Sequence, residues 1–184
     1  MNAVRSILFV LLVSLGSGAN AMTVGGIELP TQKDGLELSG AGLLRKGFFF
    51  KIYVGALYTD KANDNARFPD SVAKRIDIHY FHHTPKKHMV RVANATLRKN
   101  LSAQEYEALL PKIEKLHNAY RDGKKGSCAS ILHRPGEGFA YSFDGETIVT
   151  IDCDQFAKAY FGIWLGEHPS SQTVKEAMLQ GAGG

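Results

Sequence analysis

Four histidines fall at positions 79, 82, 83 and 88, and two cysteines follow at 128 and 153. These are zinc-binding residue types, so metal chemistry is the first to weigh. On an extended chain His79 and His83 share one face while His82 takes the other, so only two imidazoles converge locally. No cysteine or carboxylate stands beside them at a ligand spacing. Solvated or sheet-edge histidines are the better account, and no metal or other cofactor is expected. Nucleophilic chemistry has no firmer footing, since neither cysteine sits beside a histidine and base arrangement. No G-x-S-x-G, P-loop, H-E-x-x-H or dinucleotide fingerprint occurs. Gly40-Ala41-Gly42 does not open a helix and reads as a turn or bulge that permits close backbone approach. Asp152 and Asp154 read as a strand end and a helix cap rather than an acid–base pair.

Arg45 remains. It precedes the segment Phe48 to Thr59, FFFKIYVGALYT, whose period of two places Phe48, Phe50, Ile52, Val54, Ala56 and Tyr58 on one side. Phe49, Lys51, Tyr53, Gly55 and Leu57 fall on the other. Extending the strand backwards sets Arg45 on the Phe49–Tyr53 side, unless Gly47 resets the alternation with a bulge. A planar guanidinium beside aromatic walls suits a carboxylate or phenolate-like oxygen at the end of an apolar slot. A surface arginine beside Lys46 is the competing reading.

Positioning these residues requires a sheet with helices packed on it. Met22–Leu29 and Leu36–Leu38 read as short strands around a turn at 30–35. Residues 60–70 read as a loop, and Ala73–Phe81 alternates with Ile76, Ile78 and Tyr80 inward and Arg75, Asp77 and His79 outward. Thr84-Pro85 opens a helix that stops near Asn100, with Thr84 as cap. Ser102 to Glu105 forms a capping box for a second helix, striped by Tyr106, Leu109, Leu110, Ile113, Leu116 and Tyr120, which Pro111 is expected to kink or split. Three short strands follow (128–132, 138–143 and 147–152), the last two joined by Asp144-Gly145. A helix capped by Asp154 ends at Gly166, and a final helix opens at Pro169-Ser170-Ser171 and runs through Leu179. The glycine-rich tail, 181–184, should fray. Without a βαβ repeat, this order predicts an α+β domain built on one antiparallel sheet.

At 184 residues the chain fits a single domain with a sizeable core. Residues 1–21 read as a secretory signal: a basic Arg5, an apolar run from Ile7 to Leu15 too short to span a bilayer, and Ala19-Asn20-Ala21 as the cleavage site. The mature chain, 22–184, would be periplasmic or secreted with no membrane anchor. Its charge falls from +4 to +3, because residues 1–21 hold Arg5 and no Asp or Glu. That balance and the scatter of basic residues argue against nucleic acid. Cys128 and Cys153 form either a disulfide or two small buried thiols.

The run Leu38 to Lys46, the strand Phe50 to Tyr58 and the late Phe161-Gly162-Ile163-Trp164-Leu165-Gly166 before Pro169 resemble the chalcone isomerase-like family, in particular its bacterial exported members. The resemblance spans the mature chain in segment order. It implies an open-faced β-sandwich, a large antiparallel sheet covered by a layer of helices, with a ligand cleft between them. In the plant isomerases an arginine stabilises the phenolate and developing enolate while the bound chalcone closes its own ring. Arg45 takes that arginine's position. Tyr53 stands where the plant enzymes have threonine, as in the fatty-acid-binding relatives. The family's tyrosine falls at or near His88, its asparagine at or next to Asn94, and its last polar position near Ser171. With histidine at the tyrosine position, the resemblance favours binding of a small apolar or amphipathic acid by Arg45, Phe49, Tyr53, His88, Asn94 and Ser171. The alternative is an intramolecular lyase acting on a chalcone or flavonoid-like enone through a catalytic Arg45.

Overall fold

The computed structural model describes residues 21–60 and 72–180. Residues 1–20, 61–71 and 181–184, on which the expected signal, most of the expected loop and the expected fraying tail fall, lie outside the described residues. Thirteen elements run in chain order: β1 (Ala21–Val24), β2 (Ile27–Pro30), β3 (Gln32–Lys33), β4 (Leu36–Lys46), β5 (Phe50–Thr59), β6 (Lys74–Tyr80), α1 (Lys86–Asn100), α2 (Ala103–Ala119), β7 (Cys128–Arg134), β8 (Gly138–Phe143), β9 (Glu146–Ile151), α3 (Asp154–Leu165) and α4 (Gln172–Leu179). Strands β3 to β9 form one antiparallel sheet whose spatial order is the chain order. The α+β architecture expected from the sequence is therefore the one observed. No helix among the described residues is long and apolar enough to cross a membrane.

Both faces of the sheet are covered. On one, Val54, Ala56 and Tyr58 of β5 pack with Leu36, Leu38 and Ala41 of β4 beneath Leu29, with Met22, Val24 and Ile27 against them. The β1–β2 hairpin is thus a lid for that face. It turns at Gly25-Gly26, both at positive φ, while the turn expected at 30–35 stands at Asp34-Gly35 and joins β3 to β4. On the other face, Leu57, Ile76, Ile78, Ala129, Ile131 and Tyr141 meet the helices through Leu97, Leu109, Ile113, Leu116, Phe156 and Tyr160. The alternation of β5 therefore divides two cores, and the side carrying Tyr53, Gly55 and Leu57 is the one under the helices.

One residue of β6 is more enclosed than its place on the outward side suggested: Asp77 is fully buried. Its two oxygens accept from Lys33 Nζ and Arg75 Nε, each at 2.6 Å. Arg75 also donates to Asp34 Oδ2 at 2.5 Å and Ser130 Oγ at 2.7 Å. A buried carboxylate is tolerated here because cations meet both oxygens.

Three glycines let α4 sit directly on β4 and β5. A Cβ on Gly40 would lie 2.5 Å from the Ala177 carbonyl oxygen, and one on Gly42 would lie 2.9 Å from Val174 Cα. A Cβ on Gly55 would lie 2.3 Å from Met178 Cε. Gly40-Ala41-Gly42 is thus the site of close approach that the sequence suggested. It lies within a strand, next to a register shift between Leu38 and Gly40.

The helices follow their end signals with small offsets. Pro85, not Thr84, is the N-cap of α1, and Cys153, not Asp154, is that of α3. Asp154 Oδ1 instead pairs with His133 Nε2 at 2.9 Å. The Ser102–Glu105 capping box is present, yet α2 continues through Pro111 as one element. Pro111 and Glu107 are both exposed, so the Glu107 carbonyl, which loses its helical donor there, faces water. Cys128 and Cys153 are both free thiols, which settles the choice between disulfide and thiols.

Candidate functional site

Between α1 and the sheet lies a cavity of about 240 Å³. The sheet supplies Leu44, Tyr53, Ile76, Ile78, Tyr80, Ala129, Ile131 and Tyr141, while α1 contributes His88, Met89, Val92 and Ala93. Ile163 and Trp164 of α3, Ser170 of the α3–α4 link, and Tyr120 complete the wall. No Arg, Lys, Asp or Glu is among the lining residues. The polar atoms are therefore mostly neutral donors set in an apolar shell, the arrangement of a small-molecule site.

The phenols are tied down. Tyr53 hydrogen-bonds the side chains of Ser170 and Trp164, and burial raises its pKa. Tyr80 donates to Met89 Sδ at 3.0 Å. Tyr120 bonds the hydroxyl of Tyr160, which also lies 3.1 Å from His117 Nε2. Burial, with a smaller contribution from Lys86, pushes His117 down to about 4. Burial pushes Tyr141 up to about 12 and raises Tyr120 and Tyr160 as well. At neutral pH the phenols on the wall stay protonated and supply no full charge.

Of the residues expected from sequence, Tyr53 and His88 line the cavity. His88 sits exposed in the first turn of α1, its Nδ1 accepting from Arg91 Nη2 at 2.8 Å. Asn94 lies outside the lining and accepts from Tyr106 OH at 3.1 Å. Ser171 caps α4 through Val174 N, and its neighbour Ser170 takes the place on the wall.

Arg45 and Phe49 lie outside the cavity lining. The chain does not run on from Arg45 into one strand: it reverses at Gly47, whose φ is +64°, and β4 and β5 form a hairpin. Pairing shifts between Leu44 and Arg45, so Leu44 opposes Tyr53 while Arg45 opposes Lys51 and Ile52 is skipped. Lys51 Nζ reaches Gly25 O at 2.7 Å and lies over the Phe81 ring, toward the lid hairpin. Arg45 is exposed and donates to Phe48 O at 3.2 Å. Phe49, at the turn, is 95 % exposed.

Among the described residues, one trio could surround a cation: Asp77, His79 and Cys128, with ligand atoms within 4.8 Å of one another. Both Asp77 oxygens already meet cations. Burial lowers the His79 pKa and raises that of the Cys128 thiol. The raised thiol and the doubly paired Asp77 disfavour a metal there, which would need the thiolate. His82, expected on the other face from His79, stacks on Phe50 with centroids 4.3 Å apart.

Tyr120, Tyr141, Met89 and Ser170 were not singled out from sequence. Tyr141 falls in a recognisable strand and Trp164 within the quoted late segment, but nothing local marks either as facing a void.

The chalcone isomerase-like family model matches residues 21–180. No curated protein sequence matches the chain. Among solved structures, a fatty-acid-binding protein of Arabidopsis thaliana superposes with a TM-score of 0.68 at 14 % identity, covering 88 % of this chain and 96 % of that one. At that identity the likeness is one of fold.

Proposed function

Because the chain belongs to the chalcone isomerase-like family, we propose that its cavity binds a small apolar or amphipathic acid of the fatty-acid type. The observation that carries this reading is the cavity wall: apolar over most of its area, without Arg, Lys, Asp or Glu, and dotted with neutral phenols. An alkyl chain gains about 0.8 kcal/mol per buried CH₂ in such a space. The fatty-acid-binding function named for the structural neighbour points the same way. At about 240 Å³ the cavity is below the roughly 300–1,000 Å³ of clefts for drug-sized ligands, which favours short or medium chains. The carboxylate would stay at the mouth, where His88 and Arg91 stand together. Arg45, one residue beyond Leu44, would serve as a second rim cation by exchanging Phe48 O for the ligand. An enone isomerase would need a cation at the reacting oxygen inside the cavity, and the lining offers none. We also place the protein outside the cytoplasm, a reading supported by the signal pattern of residues 1–21.

Native mass spectrometry of the purified protein, with chalcone absorbance followed for wild type and Arg45→Ala, tests the reading. A co-purifying or added fatty acid retained at one per chain, without turnover above background, is expected. Arg45-dependent ring closure would overturn it.

A further inference from the structure

The tip of the β4–β5 hairpin presents the largest apolar exposure among the described residues. Phe48, Phe49 and Phe50 are 87 %, 95 % and 49 % exposed, and the first two rings sit 6.5 Å apart at the turn. Isolated exposed apolar residues are ordinary, but three consecutive phenylalanines at a turn mark a contact surface. The charge around them is one-sided. Residues 38–59 hold Arg45, Lys46 and Lys51 and no Asp or Glu. Phe50 stacks on His82, which opens a second stretch, 82–104, that carries Lys86, Lys87, Arg91, Arg98 and Lys99, again without an acid. One carboxylate meets the second stretch: Asp122 accepts from Lys86 N at 2.7 Å.

We infer that this hairpin tip docks on an anionic lipid surface, with Phe48 and Phe49 entering the acyl boundary and Arg45 and Lys46 on the headgroups. The pairing of a projecting aromatic wedge with flanking cations is what an interfacial anchor requires. The hairpin is tied at its base, where Lys51 Nζ donates to Gly25 O and Phe50 stacks on His82. Leu44 and Ile52, just inside the tip, line the cavity, so a docked protein would hold the cavity against the membrane. The docking itself does not rest on the fatty-acid reading.

The test is co-sedimentation of the purified protein with vesicles of phosphatidylcholine alone or mixed with phosphatidylglycerol, at low and high salt. Wild type should bind the mixed vesicles and release at high salt, with binding to phosphatidylcholine at least tenfold weaker. Each rim cation contributes about fivefold, so Arg45→Ala with Lys46→Ala should weaken binding about 25-fold. Phe48→Ser with Phe49→Ser should reduce it at least tenfold without changing the circular dichroism spectrum. As an independent readout, Phe49→Trp should blue-shift on the mixed vesicles and be quenched by brominated acyl chains. Equal binding by wild type and the serine double variant, or no blue shift, overturns the proposal. A dimer in solution that the serine variant converts to monomer, with no vesicle binding, would overturn it in favour of a second copy of the chain.

Discussion

Replacing Ala93 by leucine places three extra carbons in the cavity from the middle of α1. Ala93 is 4 % exposed and lies on the cavity wall, so the added atoms enter unfilled space instead of displacing a neighbour. At about 0.8 kcal/mol per carbon the gain approaches 2.4 kcal/mol, and leucine costs little in helix propensity. For a chain of this size, about 2 kcal/mol raises Tm by roughly 4–8 °C. The same carbons take space from the ligand, and the equivalent loss weakens binding about 50-fold. Stability and affinity should therefore move in opposite directions. Thermal unfolding and titration calorimetry with a graded series of straight-chain acids measure both, and the wild-type affinity should climb with chain length until the cavity is full. Ala157→Leu is the control: Ala157 is fully buried in α3 and outside the lining, so overpacking should cost about 1–3 kcal/mol. If Ala93→Leu destabilises as much as Ala157→Leu and leaves affinity unchanged, the space beneath α1 is not a ligand cavity.

Two further outcomes rest on packing and on charge. Gly40→Ala forces a Cβ to 2.5 Å and 2.7 Å from the carbonyl oxygens of Ala177 and Met178. Because those atoms are backbone, α4 must shift, at about 1–3 kcal/mol in urea unfolding; an unchanged midpoint would refute the close docking. His117, at about 4 when folded against about 6.5 when unfolded, stays neutral in the native state while the unfolded chain takes up a proton. Stability should then fall as pH drops from about 6.5 to about 4, by up to about 3 kcal/mol at 1.4 kcal/mol per unit, and flatten below. His117→Gln should show a shallower slope over that window, and parallel curves for the two proteins would refute the assignment.

Much of the fold was legible because its signals are local. The Ser102–Glu105 box, the Asp144-Gly145 turn and the alternation of β6 each act over a few residues, and each stands where the pattern put it. Arg45 was misplaced because the deciding feature is a cross-strand register shift opposite Ile52, to which the alternation of β5 alone is blind. Asp77 was read only as outward because nothing within its own strand reveals that Lys33 of β3 reaches across to it. The cavity was half visible. Periodicity set Tyr53 on one side with Gly55 and Leu57 without saying which side the helices cover, whereas Tyr120, Tyr141 and Ser170 come from segments far apart in sequence and meet only through the sheet. A one-residue uncertainty at the start of α4 also decided between Ser170 on the wall and Ser171 at the cap.

The sheet order, which repeats the chain order from β3 to β9, bears on how the protein acquires its shape. Most strand pairs are near neighbours in sequence, so their loops close at small entropic cost and can form early. The β6–β7 pair is the exception among the helix-bearing connections, since α1 and α2 lie between Tyr80 and Cys128. That long closure joins the two halves of the sheet, and it is also the step that brings α1 over the floor of the cavity. Pairing of Ile76 with Ile131, both on the cavity wall, thus completes part of that wall in the same step that joins the two halves of the sheet.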